Sequence, residues 1–95
     1  MERKKITAEE LVEKLSEINS WEERDDKIHK RFKFKNFAES LDFVNKVGAI
    51  AEEHDHHPDI TFGWGYAEFE ITTHSEGGLT AKDIALAKEI DRIAQ

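Results

Sequence analysis

Cysteine is absent from the 95 residues, and proline occurs once, as Pro58. The first absence excludes disulfide staples, iron–sulfur clusters and thiolate zinc sites, and it fits a cytoplasmic chain. No apolar run approaches the length of a membrane span, and Met1-Glu2-Arg3-Lys4-Lys5 is followed by no apolar signal core. Basic charge is scarce: 14 Lys and Arg face 21 Asp and Glu, a net charge of −7. That balance argues against a broad phosphate-binding surface and against direct DNA contact. A local basic run (Lys27, Lys30, Arg31, Lys33, Lys35) alternates with Ile28, Phe32 and Phe34, and reads as the solvent face of a strand. Linkers, repeats and low-complexity segments are also missing. One domain over residues 1–95 is expected, with a core small enough that oligomerisation would add useful buried surface.

Histidine is what the chain does have. Three of its five histidines, His54, His56 and His57, fall within four positions, interleaved with Glu52, Glu53 and Asp55 and followed by Pro58. Imidazole is the side chain that titrates nearest neutrality, so the cluster points to proton transfer or metal binding. A hydrophilic helix end facing solvent is the plainer alternative.

Thr7-Ala8-Glu9-Glu10 has capping-box spacing, and Leu11, Val12, Leu15 and Ile18 recur at helical intervals, which predicts a helix over 8–17. Strands follow at 21–24 and 28–34, joined by the polar turn Asp25-Asp26-Lys27. In the second strand His29 shares the basic, exposed parity. Asn36-Phe37-Ala38-Glu39 opens a long helix over 37–55, which Pro58 should end at His56 or His57. Its apolar arc combines Phe37, Leu41, Val44, Gly48 and Ala51 with Phe43, Val47 and Ile50. The arc covers roughly half the circumference, against about 100° for a single core contact. The excess predicts a helix-mediated oligomer contact, assigned to Phe43, Val47 and Ile50. Gly63-Trp64-Gly65 reads as a turn between a short strand and a long one. The long strand places Ala67, Phe69, Ile71 and Thr73 on one face and closes at His74. Thr80-Ala81-Lys82-Asp83 opens a last helix. The order α-β-β-α-β-β-α predicts an α+β fold in which helices pack on one side of an antiparallel sheet.

These residues together resemble a known family. Glu52-x-x-Asp55-His56-His57-Pro58, Thr73-His74, Gly78-Leu79-Thr80 and Asp83 are similar to the signature of the pterin-4a-carbinolamine dehydratases. The similarity extends upstream through Trp21, the run Phe32-Lys33-Phe34-Lys35-Asn36-Phe37 and Phe43, covering nearly the whole chain. The resemblance implies a four-stranded antiparallel sheet with three helices packed on one face. It also implies dimers joined at sheet edges and tetramers joined through the central helices. The implied reaction is loss of water from a 4a-hydroxytetrahydropterin to give the quinonoid dihydropterin, without metal or organic cofactor. By resemblance, His56, His57 and His74 form the catalytic trio, and Glu52, Asp55, Thr73 and Asp83 bind substrate or orient the histidines.

Dehydration of a carbinolamine needs an acid for the departing hydroxyl and a base for a ring N–H. The helix C-terminus, with Glu52 and Glu53 one turn before the histidines, biases the motif toward acid catalysis. His56 and His74 are expected to be proton donors, and His57 a binding group. Three positions depart from the family pattern: Glu53 replaces a common lysine, His54 a common apolar residue, and Trp64-Gly65 a common Tyr-Asn. Two rivals remain. His54, His56, His57 and His74 are a candidate zinc set, although adjacent His56 and His57 diverge on a helix and no His-x-x-x-His occurs. The second rival is a non-catalytic module. Mammalian relatives serve as dimerisation partners of a homeodomain factor, and the central helix face would be the contact.

Overall fold

The computed structural model describes residues 5–95. Helix α1 (Ala8–Leu15) starts where the sequence requires it: the Thr7 hydroxyl accepts the Glu10 N–H, and the Glu10 carboxylate accepts the Thr7 N–H. Strands β1 (Glu22–Arg24) and β2 (Lys27–Lys33) form a hairpin. Its two-residue turn, Asp25-Asp26, has both φ angles positive (54° and 62°), which matches the right-handed twist of the flanking strands. Asn36 caps α2 (Phe37–His54) by accepting the Glu39 N–H at 2.9 Å. Strands β3 (Asp59–Gly63) and β4 (Tyr66–Ile71) make a second hairpin, with Gly65 at φ 81° in its turn. A 3-10 turn (His74–Glu76) leads to α3 (Ala81–Ile93), which Thr80 and Asp83 cap reciprocally. The expected α-β-β-α-β-β-α order is the one observed.

The four strands run antiparallel in the order β1-β2-β4-β3, with Ile28 opposite Ile71 and Phe69 between Lys30 and Ile60. That register puts Ile28, Ala67, Phe69 and Ile71 on one face, fully buried beneath α2 and α3, and α1 adds Leu11 and Leu15 to the same core. Fully burying Ile28, Phe69 or Ile71 stabilises the fold by about 1.5–3 kcal/mol each. The opposite sheet face is wet. There Lys27 pairs with Glu70 at 3.6 Å and Arg31 with Glu68 at 2.5 Å. No helix among the described residues is long and apolar enough to cross a membrane.

The assignment of an oligomer contact to Phe43, Val47 and Ile50 needs correction. These residues are only 5, 0 and 9% exposed, and they form the core stripe of α2. Phe43 stacks among Phe32, Phe34 and Phe69, with ring centroids 5.0–5.7 Å away. The outward apolar residues of α2 are Phe37 and Leu41, 46 and 39% exposed. Helical period fixes which residues share a stripe but not which stripe meets the sheet.

Lys30 also departs from the reading of the basic run as solvent face. It shares the core parity, and its ammonium sits 2.8 Å from Asp91 and 4.6 Å from the Phe32 ring centre. His29 does lie on the open sheet face, half-buried, 4.0 Å from Glu68.

Candidate active site

Two chain reversals bring the signature residues to one end of the sheet. The first ends α2. Asp55 adopts the left-handed conformation (φ 50°, ψ 43°), which Asp tolerates better than most residues. The His56 N–H returns to the Ala51 carbonyl at 3.1 Å and the Asp55 N–H to the Glu52 carbonyl at 3.2 Å. This paired closure is a Schellman motif built without glycine. It turns His56 into the protein and leaves His57 outside. Pro58 then starts the chain into β3. The second reversal is the β3–β4 hairpin. Because Asp59 pairs with Glu70, β4 delivers Thr73 and His74 to the end of the sheet from which β3 departs.

His56, 9% exposed, places Nε2 2.5 Å from Oδ1 of Asp83, which is completely buried in the first turn of α3. The second carboxylate oxygen, Oδ2, accepts the Thr80 backbone N–H at 2.8 Å and the Thr73 hydroxyl at 2.8 Å. Thr73 and Thr80 are themselves 2.9 Å apart, oxygen to oxygen. Thr73 is held by paired backbone bonds with Gly78 (3.2 and 3.3 Å), which close the His74–Gly77 loop. A second, separate pair lies at the surface: His57 Nε2 contacts Glu52 Oε2 at 2.6 Å, with both side chains more than half exposed. The rim therefore combines a buried histidine bonded to a buried carboxylate, an exposed one on an exposed carboxylate, and an exposed histidine on a loop closed by the Thr73–Gly78 pair. Such a set can donate and accept protons from more than one direction.

The family model for pterin 4 alpha carbinolamine dehydratase matches residues 4–93. The chain belongs to that family. It is similar to a provisionally named pterin-4-alpha-carbinolamine dehydratase of Sulfolobus acidocaldarius, 47% identical over 89 residues that cover 94% of this chain and 98% of the relative. A relative of the same name from Rubrobacter xylanophilus is 46% identical, covering 93% of this chain and 83% of its own. Among solved structures, a transcriptional coactivator/pterin dehydratase from Brucella melitensis is similar at TM-score 0.91 and 32% identity, covering 96% of this chain and 99% of that one. A pterin dehydratase-like protein described as a RuBisCO assembly factor in the alpha-carboxysome is similar at TM-score 0.64 and 27% identity, covering 78 and 86%.

Within this dehydratase-family chain, the signature residues take different places. His56, Thr73 and Asp83 form one bonded group, and Glu52 with His57 another. Asp83 has no exposed surface, and the Thr73 hydroxyl bonds to its carboxylate, so both side chains lie behind His56. Asp55 is exposed and supplies the reversal. His74 does not close the long strand. β4 stops at Ile71, and His74 opens the 3-10 turn, exposed. Thr80, which the sequence marks both as a helix cap and as part of the Gly78-Leu79-Thr80 signature, joins the buried group through its hydroxyl, 2.9 Å from that of Thr73. Trp64 is 72% exposed at the far end of the β3–β4 hairpin, so it neither packs nor reaches the histidine rim. Among the described residues, no group of three or more His, Asp or Glu side chains is placed to hold a metal ion.

Proposed function

We propose that this chain removes water from a 4a-hydroxytetrahydropterin, with His56 as the principal acid. The observation that carries the reading is the His56–Asp83 pair: a buried carboxylate 2.5 Å from an imidazole whose other edge is free to face the rim. A protonated His56 gives its proton to the 4a-hydroxyl. The C–O bond breaks, the lone pair of the neighbouring ring nitrogen forms the C=N bond, and a neutral histidine of the trio takes that nitrogen's proton. Water and quinonoid dihydropterin leave. His74, on its pinned loop, takes the nitrogen's proton when His56 is the acid and is itself the donor when the hydroxyl leaves from the opposite face of the ring, while His57, held by Glu52, binds and orients the ring. Family membership supports this assignment of chemistry.

The same reading includes a homo-oligomer in the cytoplasm, assembled through sheet edges and the central helix. Because Phe43, Val47 and Ile50 are inside, the helix contact moves to Phe37 and Leu41. The exposed pair also favours a second reading, that of a non-catalytic protein-binding module, and a similar structure is that of a RuBisCO assembly factor.

The deciding experiment generates the 4a-hydroxytetrahydropterin in situ and follows its loss by ultraviolet absorbance. Acceleration by the native protein, largely lost in His56→Ala, supports the dehydratase. No acceleration from folded native protein sinks it and favours the binding module.

A further inference from the structure

The groups behind His56 admit one arrangement of hydrogens that satisfies all of them. Asp83 Oδ2 already accepts the Thr80 backbone N–H, so it is an acceptor. Thr73 Oγ1 lies 2.8 Å from it and 2.9 Å from Thr80 Oγ1. A hydroxyl carries one hydrogen. If the Thr73 hydrogen points to Asp83, the Thr80 hydroxyl donates to Thr73 and accepts the Lys82 N–H at 3.2 Å. The reverse orientation leaves the Thr80 hydrogen without an acceptor among the described residues. The chain thus runs one way, from Lys82 N–H through Thr80 and Thr73 to Asp83. Two donors on Oδ2 favour the ionised carboxylate, so Oδ1 also accepts, and the hydrogen of the 2.5 Å contact belongs to His56 Nε2. Thr73, Thr80 and Asp83 are all buried, so water has little access to replace a lost hydroxyl.

We propose that Thr73 and Thr80 are positioning residues that hold His56 in its Nε2–H tautomer and leave Nδ1 as the nitrogen that meets substrate. The tautomer half stands on hydrogen-bond geometry. The statement that Nδ1 meets substrate rests on the dehydratase reading. A second role follows for Thr80, which caps α3 and sets the direction of the chain with the same oxygen.

Nitrogen-15 spectra of the native protein test the first half without any substrate. The expected result is a hydrogen on Nε2 of neutral His56 and none on Nδ1. A neutral His56 that carries its hydrogen on Nδ1 instead overturns the proposal. Thr73→Val and Thr73→Ser test the second half. Loss of the hydroxyl is expected to lower kcat by about tenfold with little change in KM, the lower end of the loss seen when an outer partner of a metal-bound histidine is removed. It is also expected to broaden or shift the His56 nitrogen signals. Serine restores both. A Thr73→Val protein with native kcat overturns the positioning role. Thr80→Ser, which keeps cap and hydroxyl, is expected to remain folded and active. Native protein without turnover removes the dehydratase reading, while the nitrogen spectrum still decides the tautomer.

Discussion

His56 and Asp83 lie 27 positions apart in the chain and 2.5 Å apart in the fold, one beyond the end of α2 and the other in the first turn of α3. Asp83→Asn tests what the carboxylate contributes. Two donors at Oδ2 demand oxygen there, so the new amide would point its NH2 at Nε2 and set donor against donor. The expected loss in kcat is on the order of 10²–10⁴, the scale seen when an orienting aspartate imposes the wrong histidine tautomer. Stability should fall by about 1–3 kcal/mol. Turnover and urea unfolding read the two effects separately, and native-like turnover would refute the linkage.

Glu52 and His57 are coupled to each other at the surface rather than to the buried pair. Glu52→Gln and His57→Ala should each raise KM more than they lower kcat. The double variant should be little worse than the poorer single, the mark of two residues acting through one contact. Strictly additive losses would show that each meets the pterin independently.

Two substitutions two positions apart on α2 should behave in opposite ways. Phe43→Ala removes the ring at the centre of the aromatic cluster and should cost about 3–5 kcal/mol. Leu41→Glu lies on the outward stripe and should leave stability within about 0.5 kcal/mol while reducing the particle mass measured by light scattering. An unchanged mass would clear the outward stripe of any assembly role.

Asp91 gathers three donors: Trp21 Nε1 at 3.1 Å, the Asn19 N–H at 3.1 Å and Lys30 Nζ at 2.8 Å. Asp91→Ala would leave a largely buried ammonium beside Phe32 with the Asn19 carbonyl as its remaining polar partner, at a cost of about 1–3 kcal/mol. Lys30→Met in the same protein should recover part of that loss, measurable by thermal melting.

Lys88, 2.8 Å away, holds the Glu17 carboxyl below its usual value by a hydrogen bond, and Arg92 does the same for Glu89. A depressed folded-state value adds stability above the unfolded carboxylate value, and that stability is lost as pH falls through the lowered one. The urea midpoint of Glu17→Gln should therefore approach that of the native chain as pH drops from about 7 to about 3. The pair is exposed, so high salt should also shrink the gap.

Much of the fold was legible because its signals are local. Capping pairs at Thr7, Asn36 and Thr80 mark helix starts, and alternation through Ala67, Phe69 and Ile71 marks a strand. The site was legible as a set of residues but not as an arrangement. Nothing local shows that Asp55 takes a left-handed conformation, and that one backbone state sends His56 inward and His57 outward. The burial of Asp83 likewise depends on Thr73, ten positions away and on another element. The choice between the two stripes of α2 was lost for the same reason: orientation is decided by the partner surface.

The strand order has a consequence for the route of folding. Each hairpin closes over a two-residue turn, a fast local event. Joining them requires β2 to find β4, so that residue 28 meets residue 71 across the whole of α2. Closing that long loop carries the main entropic cost, and the docking of the two hairpins should set the rate. The buried Phe69 lies on this late-formed seam and also contacts Phe43, so its removal should slow folding rather than merely hasten unfolding.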